Sequence, residues 1–262
     1  MKTVIYYFTG TGNSLWAARK VGGYLGDTEL IPIIRAMKEK KFAPGASRIG
    51  FVFPLYFGGI PLIVADFIRE LDLSGAEYIF TVCTRGFHIA GGAIKQMKKL
   101  LEELGASLSL GLYLNMIDNY LPTFEIPVKD ALIKANVSAL GKTEKIARMI
   151  AAGKMRIRYA LLEINEKLLY PTFLKNARGM DAEFIVQDTC NGCGTCEKVC
   201  PVNNIRMTDA RPEFLHHCEQ CYACAHACPK LSIIPGQKSL NKKHRFRNPE
   251  IALKDIIAQK TP

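Results

Sequence analysis

Outside one short stretch this sequence is almost without cysteine. Of nine cysteines, Cys83 alone falls outside residues 190–228, so disulfides cannot hold the rest of the chain together. None are needed, because 262 residues of 48% hydrophobic composition can bury a substantial core and are enough for two domains. Tryptophan occurs once, as Trp16. Long apolar runs are missing as well. Lys2 precedes only a short apolar run ending in a polar Gly/Thr turn, unlike a secretory signal, and the longest charge-free run, 49–65, is interrupted by Pro54, Gly58, Gly59 and Pro61. A cytoplasmic chain with no transmembrane segment is the expectation. Acidic residues are the scarcer sign: 24 against 35 basic, a formal charge of +11.

Charge is also absent where a ligand site is expected. No Lys or Arg lies between Thr3 and Ala18, yet "FTGTGNS" (8–14) joins an apolar run to a helical pattern. Strand-like runs "TVIYYF", "ELIPII", "RIGFVFP", "EYIFTVCT" and "SLSLGLYLNM" alternate with helical patterns near 14–25, 61–71, 91–104 and 129–152. This βαβα order predicts an α/β, doubly wound parallel sheet, with ligands bound beyond the carboxyl ends of its strands. The 8–14 turn lies at that edge. Its N–H groups and the hydroxyls of Thr9, Thr11 and Ser14 can converge on a phosphate at a helix N-terminus, holding a dianion by neutral dipoles alone. A dinucleotide fingerprint would need glycine where Leu15 stands. The "GKT" at 141–143 lacks its upstream glycine, Asn136 occupying that place, and is not a nucleotide loop.

The run Thr9, Gly10, Thr11, Gly12, Asn13, Ser14 closely resembles the phosphate loop of flavodoxins, and residues 1–152 have a matching order of elements. The resemblance implies a five-stranded sheet and FMN. Two further Gly-rich loops stand where a flavodoxin contacts its flavin: Pro54, Leu55, Tyr56, Phe57 and Gly58 after the third strand, and Thr84, Arg85, Gly86 and Gly91 after the fourth. Tyr56 or Phe57 is expected to stack on the flavin ring, and N–H groups near 84–86 to meet its polar edge. Arg85 beside the ring would favour the reduced anionic flavin and raise its potential. Cys83 reads as a buried small side chain, and His88 as a solvated loop residue or a proton donor.

Eight cysteines form two runs, "CNGCGTCEKVCP" and "CEQCYACAHACP", each C-x2-C-x2-C-x3-C-P. The second repeats the first at an offset of 28, which Ile205 and Ile233 also keep. Paired four-cysteine zinc sites are the alternative, but they require neither the third and fourth cysteine of each run nor the trailing proline. Spacing favours iron-sulfur clusters. Residues 183–237 resemble a bacterial two-cluster ferredoxin, which implies two [4Fe-4S] clusters. By that resemblance one cluster takes Cys190, Cys193, Cys196 and Cys228, and the other Cys218, Cys221, Cys224 and Cys200.

The whole chain is similar to flavodoxin-ferredoxin fusions of anaerobic bacteria and archaea. Residues 153–182 match neither part; they predict a helical bridge with contacts from Tyr159, Leu162, Leu169 and Phe173, broken at Pro171. Net charge is +3 over 1–140, +6 over 141–180, −3 over 181–237 and +5 over 238–262, which concentrates positive charge in the bridge and a basic C-terminal tail. A solvated basic face is the plain reading of that charge; among partners an acidic redox protein such as a ferredoxin is expected ahead of an anionic membrane surface, with nucleic acid last, and a homodimer is the alternative assembly. Clusters pass single electrons and FMN one or two, so the expected function is electron transfer between ferredoxin-type carriers, the clusters and FMN. An FMN-dependent reductase of a quinone, nitro compound or unsaturated carbonyl is the alternative, with His88 or Tyr56 as proton donor. A redox-sensing regulator is a third reading.

Overall fold

The structure, a computed structural model, describes residues 1–86, 91–161 and 164–260, with the side chains of 164–169 left out. Five apolar runs become five strands, β1 (Thr3–Tyr7), β2 (Thr28–Pro32), β3 (Arg48–Pro54), β4 (Tyr78–Arg85) and β5 (Leu110–Asn115). They pair in parallel in the order β2-β1-β3-β4-β5, and a two-residue β6 (Arg156–Ile157) joins the β5 edge. This is the doubly wound, flavodoxin-like order. The sheet thus has six strands where five were expected; the added one is too short to register as an apolar run.

Every residue of β1 is buried, as in a strand covered on both faces. Alternation divides its residues between two cores. Helices α1 (Asn13–Leu25), α2 (Ile33–Lys38), α3 (Leu62–Arg69), α4 (Ala93–Glu103) and α5 (Lys129–Ala151) follow β1 to β5 in turn. Val4, Tyr6 and Phe8 pack with Phe67 of α3 and Ile94 and Met97 of α4, whereas Ile5 and Tyr7 pack with Trp16 and Val21 of α1 and Ile146 and Ile150 of α5. Among the described residues, no helix is long and apolar enough to cross a membrane.

The bridge departs from expectation at Pro171. Helix α6 (Ile164–Asn176) runs through that proline, although proline forfeits one backbone hydrogen bond. The helix is held from outside: Tyr170 and Phe173 are buried, and the Tyr170 hydroxyl donates to the Ile60 carbonyl at 2.7 Å. Tyr159 is 49% exposed; Leu162 and the Leu169 side chain lie outside the described residues.

After the bridge, β7 (Phe184–Val186) pairs antiparallel with a strand at Ile233–Pro235, β10, and between them lie α7 (Thr195–Val199), the hairpin β8 (Ile205–Thr208) and β9 (Arg211–Phe214), and α8 (Ala223–Ala227). The halves of the repeat share their backbone. Residues 28 apart adopt the same left-handed φ, as in Gly192 and Gln220, Gly194 and Tyr222, and Asn203 and Leu231.

The C-terminal segment returns to the N-terminal sheet. Lys238, Lys243, Arg247 and Lys254 are exposed, as a solvated basic face requires, but several residues of the same segment are buried. Asn248 and Gln259 are at most 1% exposed, and Ile251 and Ile256 join the α1/α5 core ahead of and within α9 (Leu253–Ile257). Glu250 accepts from the Trp16 indole at 2.8 Å and pairs with Lys20, while Arg19 pairs with Asp255. The Gln259 side chain accepts from the Thr9 N–H at 3.1 Å and donates to the Thr9 carbonyl at 3.0 Å. Gln259→Leu leaves both groups buried and unpaired, an expected loss of about 1–3 kcal/mol. Chemical denaturation should show a lowered midpoint; an unchanged one would show that this contact adds nothing to stability.

Candidate functional site

A cavity of about 380 Å³ opens beyond the carboxyl ends of β1, β3 and β4, where the strand order reverses and such sheets bind ligands. Thr9, Gly10, Thr11, Asn13 and Ser14 line it, with Pro54 to Gly58, and Thr84, Arg85 and Gly86. Two of the expected residues stand behind its wall. Gly12, at φ 102, turns the chain into α1, and Gly91 packs on Leu55 and Tyr113. His88 lies outside the described residues.

The loop at 9–14 is rich in unspent donors. Helix α1 has no side-chain cap, and its first internal bond is from Trp16 N–H to the Gly12 carbonyl. Among the described residues, no acceptor meets the N–H groups of Gly10, Thr11, Asn13, Ser14 or Leu15; the last three are orphans that every helix start leaves, and the first two add to them. The hydroxyls are arranged to the same effect. Thr9 Oγ1 accepts from Gly12 N–H at 3.0 Å and Thr11 Oγ1 from the Asn119 amide at 2.6 Å, while Ser14 and Thr84 share one bond at 2.8 Å. Thr9 and Thr11 only accept in these bonds and keep their hydroxyl hydrogens for a ligand, and the Ser14–Thr84 bond spends one hydrogen of that pair and leaves the other. Buried donors without acceptors fit an anion that only accepts, as the phosphate of FMN does.

Aromatic side chains form another wall. Phe57 stacks on Phe173 of α6 with ring centres 4.6 Å apart and meets Tyr120 edge-on at 5.4 Å; Tyr120 in turn meets Tyr222 at 5.5 Å. Phe57 therefore has one face covered by protein. Tyr56 stands edge-on to Phe8, and burial raises its phenol well above the ordinary range, making it a poor proton donor. Arg85 donates to Asn115 at 2.9 Å, and its guanidinium lies 4.1 Å from the Tyr113 ring centre. Burial lowers the Arg85 pKa and raises that of the cavity carboxyl, Asp118. Cys83 is fully buried, with its thiol pushed well up by desolvation.

The cysteines separate into two sets of four. Cys190, Cys193, Cys196 and Cys228 line one small cavity; Cys200, Cys218, Cys221 and Cys224 line another. Among the described residues, no group of three or more His, Cys, Asp or Glu side chains is arranged to hold a single metal ion. Backbone N–H groups already aim at the sulfurs: Asn204 at Cys200 (3.1 Å), Ser232 at Cys228 (3.2 Å) and Gln220 at Cys218 (3.3 Å). The first two bonds repeat at the 28-residue offset. Such donors stabilise thiolate sulfur. The Cys196 and Cys218 thiols are raised to about 11 and about 12, chiefly by burial, so binding metal there would release protons. Cys193 differs in being exposed.

The two regions touch. Gln220, Cys221 and Tyr222 line the large cavity together with the 9–14 loop. A Cβ on Gly10 would stand 2.7 Å from the Cys221 carbonyl and 3.0 Å from its Cβ, so only glycine permits the approach. Several participants escaped the sequence reading: the 117–124 loop with Asn119 and Tyr120, then Tyr222, His226, Asn248 and Gln259. Burial lowers His226 to about 3; neutral, it accepts from Phe246 N–H and donates to the Asn119 carbonyl, both at 3.0 Å. Asn248 N–H donates to the Thr11 carbonyl at 2.9 Å. One signal was available, since "IDNYLP" follows the fifth strand at the same sheet edge as the other loops. Gly10→Val should part the 9–14 loop from the Cys221 loop and lower flavin content, measured as flavin per chain after anaerobic purification; wild-type content would show that the contact is dispensable.

Residues 182–242 match the 4Fe-4S dicluster domain family. A subunit of an ion-translocating oxidoreductase complex from Methanosarcina acetivorans is 37% identical over 57 residues, 21% of this chain and 22% of that protein, so the match spans about a fifth of each. Among solved structures, rubredoxin:oxygen oxidoreductase from Desulfovibrio gigas is similar over 58% of this chain and 36% of its own at 16% identity and a TM-score of 0.39. A flavodoxin from the Archaea is similar over 56% of this chain and 99% of its own at 16% identity and a TM-score of 0.34. Strand order defines the first part and the dicluster match the second: the chain joins a flavodoxin-like α/β domain to a 4Fe-4S ferredoxin-type domain.

Proposed function

We propose that this protein is an electron carrier that holds FMN in the large cavity and a [4Fe-4S] cluster in each set of four cysteines, linking ferredoxin-type donors to the flavin. Clusters exchange single electrons and FMN one or two. The shared wall carries the proposal: the loop bearing Cys218, Cys221 and Cys224 lines the same cavity as the 9–14 loop. The unspent donors at 9–14 would hold the phosphate, and the Phe57, Tyr120 and Tyr222 run would lie along the ring. Arg85 would place positive charge beside that ring.

The two cysteine sets differ in access, which supports an order. Cys221 is packed against Gly10, whereas Cys193 is exposed and its cavity also has Lys230 in its lining. The set containing Cys193 would face the partner and the set containing Cys221 the flavin. Residues 181–237 carry −3 while the chain as a whole carries +11, so an acidic redox protein would be drawn by the basic bridge and tail and would exchange electrons through a small interface. Of the two proton donors a reductase could use, His88 lies outside the described residues, and burial raises the Tyr56 phenol well above its ordinary range. Mixing the anaerobic oxidised protein with reduced ferredoxin in a stopped-flow instrument should bleach the flavin rapidly, and Cys193→Ser should slow this at least ten-fold with flavin content unchanged. A wild-type flavin left oxidised, or a variant reduced equally fast, would contradict the order.

A further inference from the structure

The two cysteine loops share a backbone but differ in side chains at two positions. Where the first has Gly192 and Gly194, both at φ 69, the second has Gln220 and Tyr222, both at φ 54. Left-handed backbone is cheap for glycine and costly for other residues. Space is not what keeps residue 194 a glycine, since a Cβ there would meet nothing closer than Met207 at 3.9 Å; its backbone conformation is sufficient reason. The second loop therefore carries two strained side chains that the first does without. Such strain is a pointer to function where a ligand cavity adjoins it.

Both residues line the large cavity. They also brace one another: the Tyr222 hydroxyl donates to Gln220 Oε1 at 3.1 Å, and the Gln220 amide donates to the Ala177 carbonyl at 3.0 Å. The Tyr222 ring is stacked on Phe184 at 5.9 Å and touches Tyr120 edge-on. We propose that Tyr222, positioned by Gln220, is a flavin-contacting residue through which the second cysteine loop forms part of the ring end of the cavity. In the first loop a Cβ on Gly192 would stand 2.8 Å from Ala210, and Gly194 lines only the small cavity of its own cysteine set among those described. This inference rests on the reading of the cavity as an FMN site.

The test uses the full-length protein with its iron in place, stripped of flavin and titrated with FMN and with riboflavin. Tyr222→Leu, which keeps apolar bulk but no aromatic face, should raise both dissociation constants about five-fold. Their ratio should stay at the wild-type value because the phosphate loop is untouched, and Tyr222→Phe should restore most of the affinity. Wild-type affinity in Tyr222→Leu with normal iron would overturn the proposal. If that variant loses iron, Tyr222→Gly, which copies residue 194, takes its place; loss of iron from both would make Tyr222 a support of the cysteine loop alone and also overturn it. A wild-type protein that binds neither flavin would remove the FMN reading of the cavity itself.

Discussion

The contact between Gly10 and Cys221 constrains everything around it. Two loops that in sequence lie more than 200 residues apart meet with no room for a single added carbon. One ends the first strand of the sheet and supplies buried donors without acceptors; the other holds three of the four cysteines of one set. Because backbone rather than flexible side chain makes the contact, it cannot loosen by a change of rotamer. The C-terminal segment fixes the 9–14 loop on its other side, through Gln259 on Thr9 and Asn248 on Thr11. The loop is thereby set in place before any ligand arrives, which lowers the ordering cost of binding.

The sheet, the 8–14 turn and the paired cysteine runs were legible because each is written locally. Strands β1, β3 and β4 are continuous apolar runs, the 8–14 turn has its glycines and hydroxyls in succession, and the cysteines carry their own spacing. What escaped depends on contacts between distant residues. Gln259 and Thr9 are 250 positions apart, and nothing in a segment dominated by Lys and Arg marks two neutral amides as buried. Pro171 was read as a break because its local chemistry says so, but the packing of Tyr170 and Phe173 overrides it. β6 has two residues and no pattern to detect. The 117–124 loop was missed for want of glycine, although its position after β5 placed it at the same edge as the others.

Internal repetition makes the ferredoxin-type domain its own control. Backbone conformation, the amide-to-sulfur bonds and the isoleucines after each run coincide at the 28-residue offset. Departures from that symmetry follow the surroundings. The half facing the sheet leaves none of its cysteines exposed and carries Gln220 and Tyr222; the other leaves Cys193 open and retains glycines. A domain alike in its halves thus presents one side inward and one outward, the asymmetry a carrier between an external partner and an internal flavin requires.

The proposed function requires one polypeptide to hold a flavin mononucleotide and two four-iron clusters. Its most direct test is the composition of protein purified without oxygen, assayed for iron, acid-labile sulfide, zinc and flavin. About eight iron, eight sulfide and one FMN per chain are expected. Colourless protein carrying zinc and no flavin would contradict the claim.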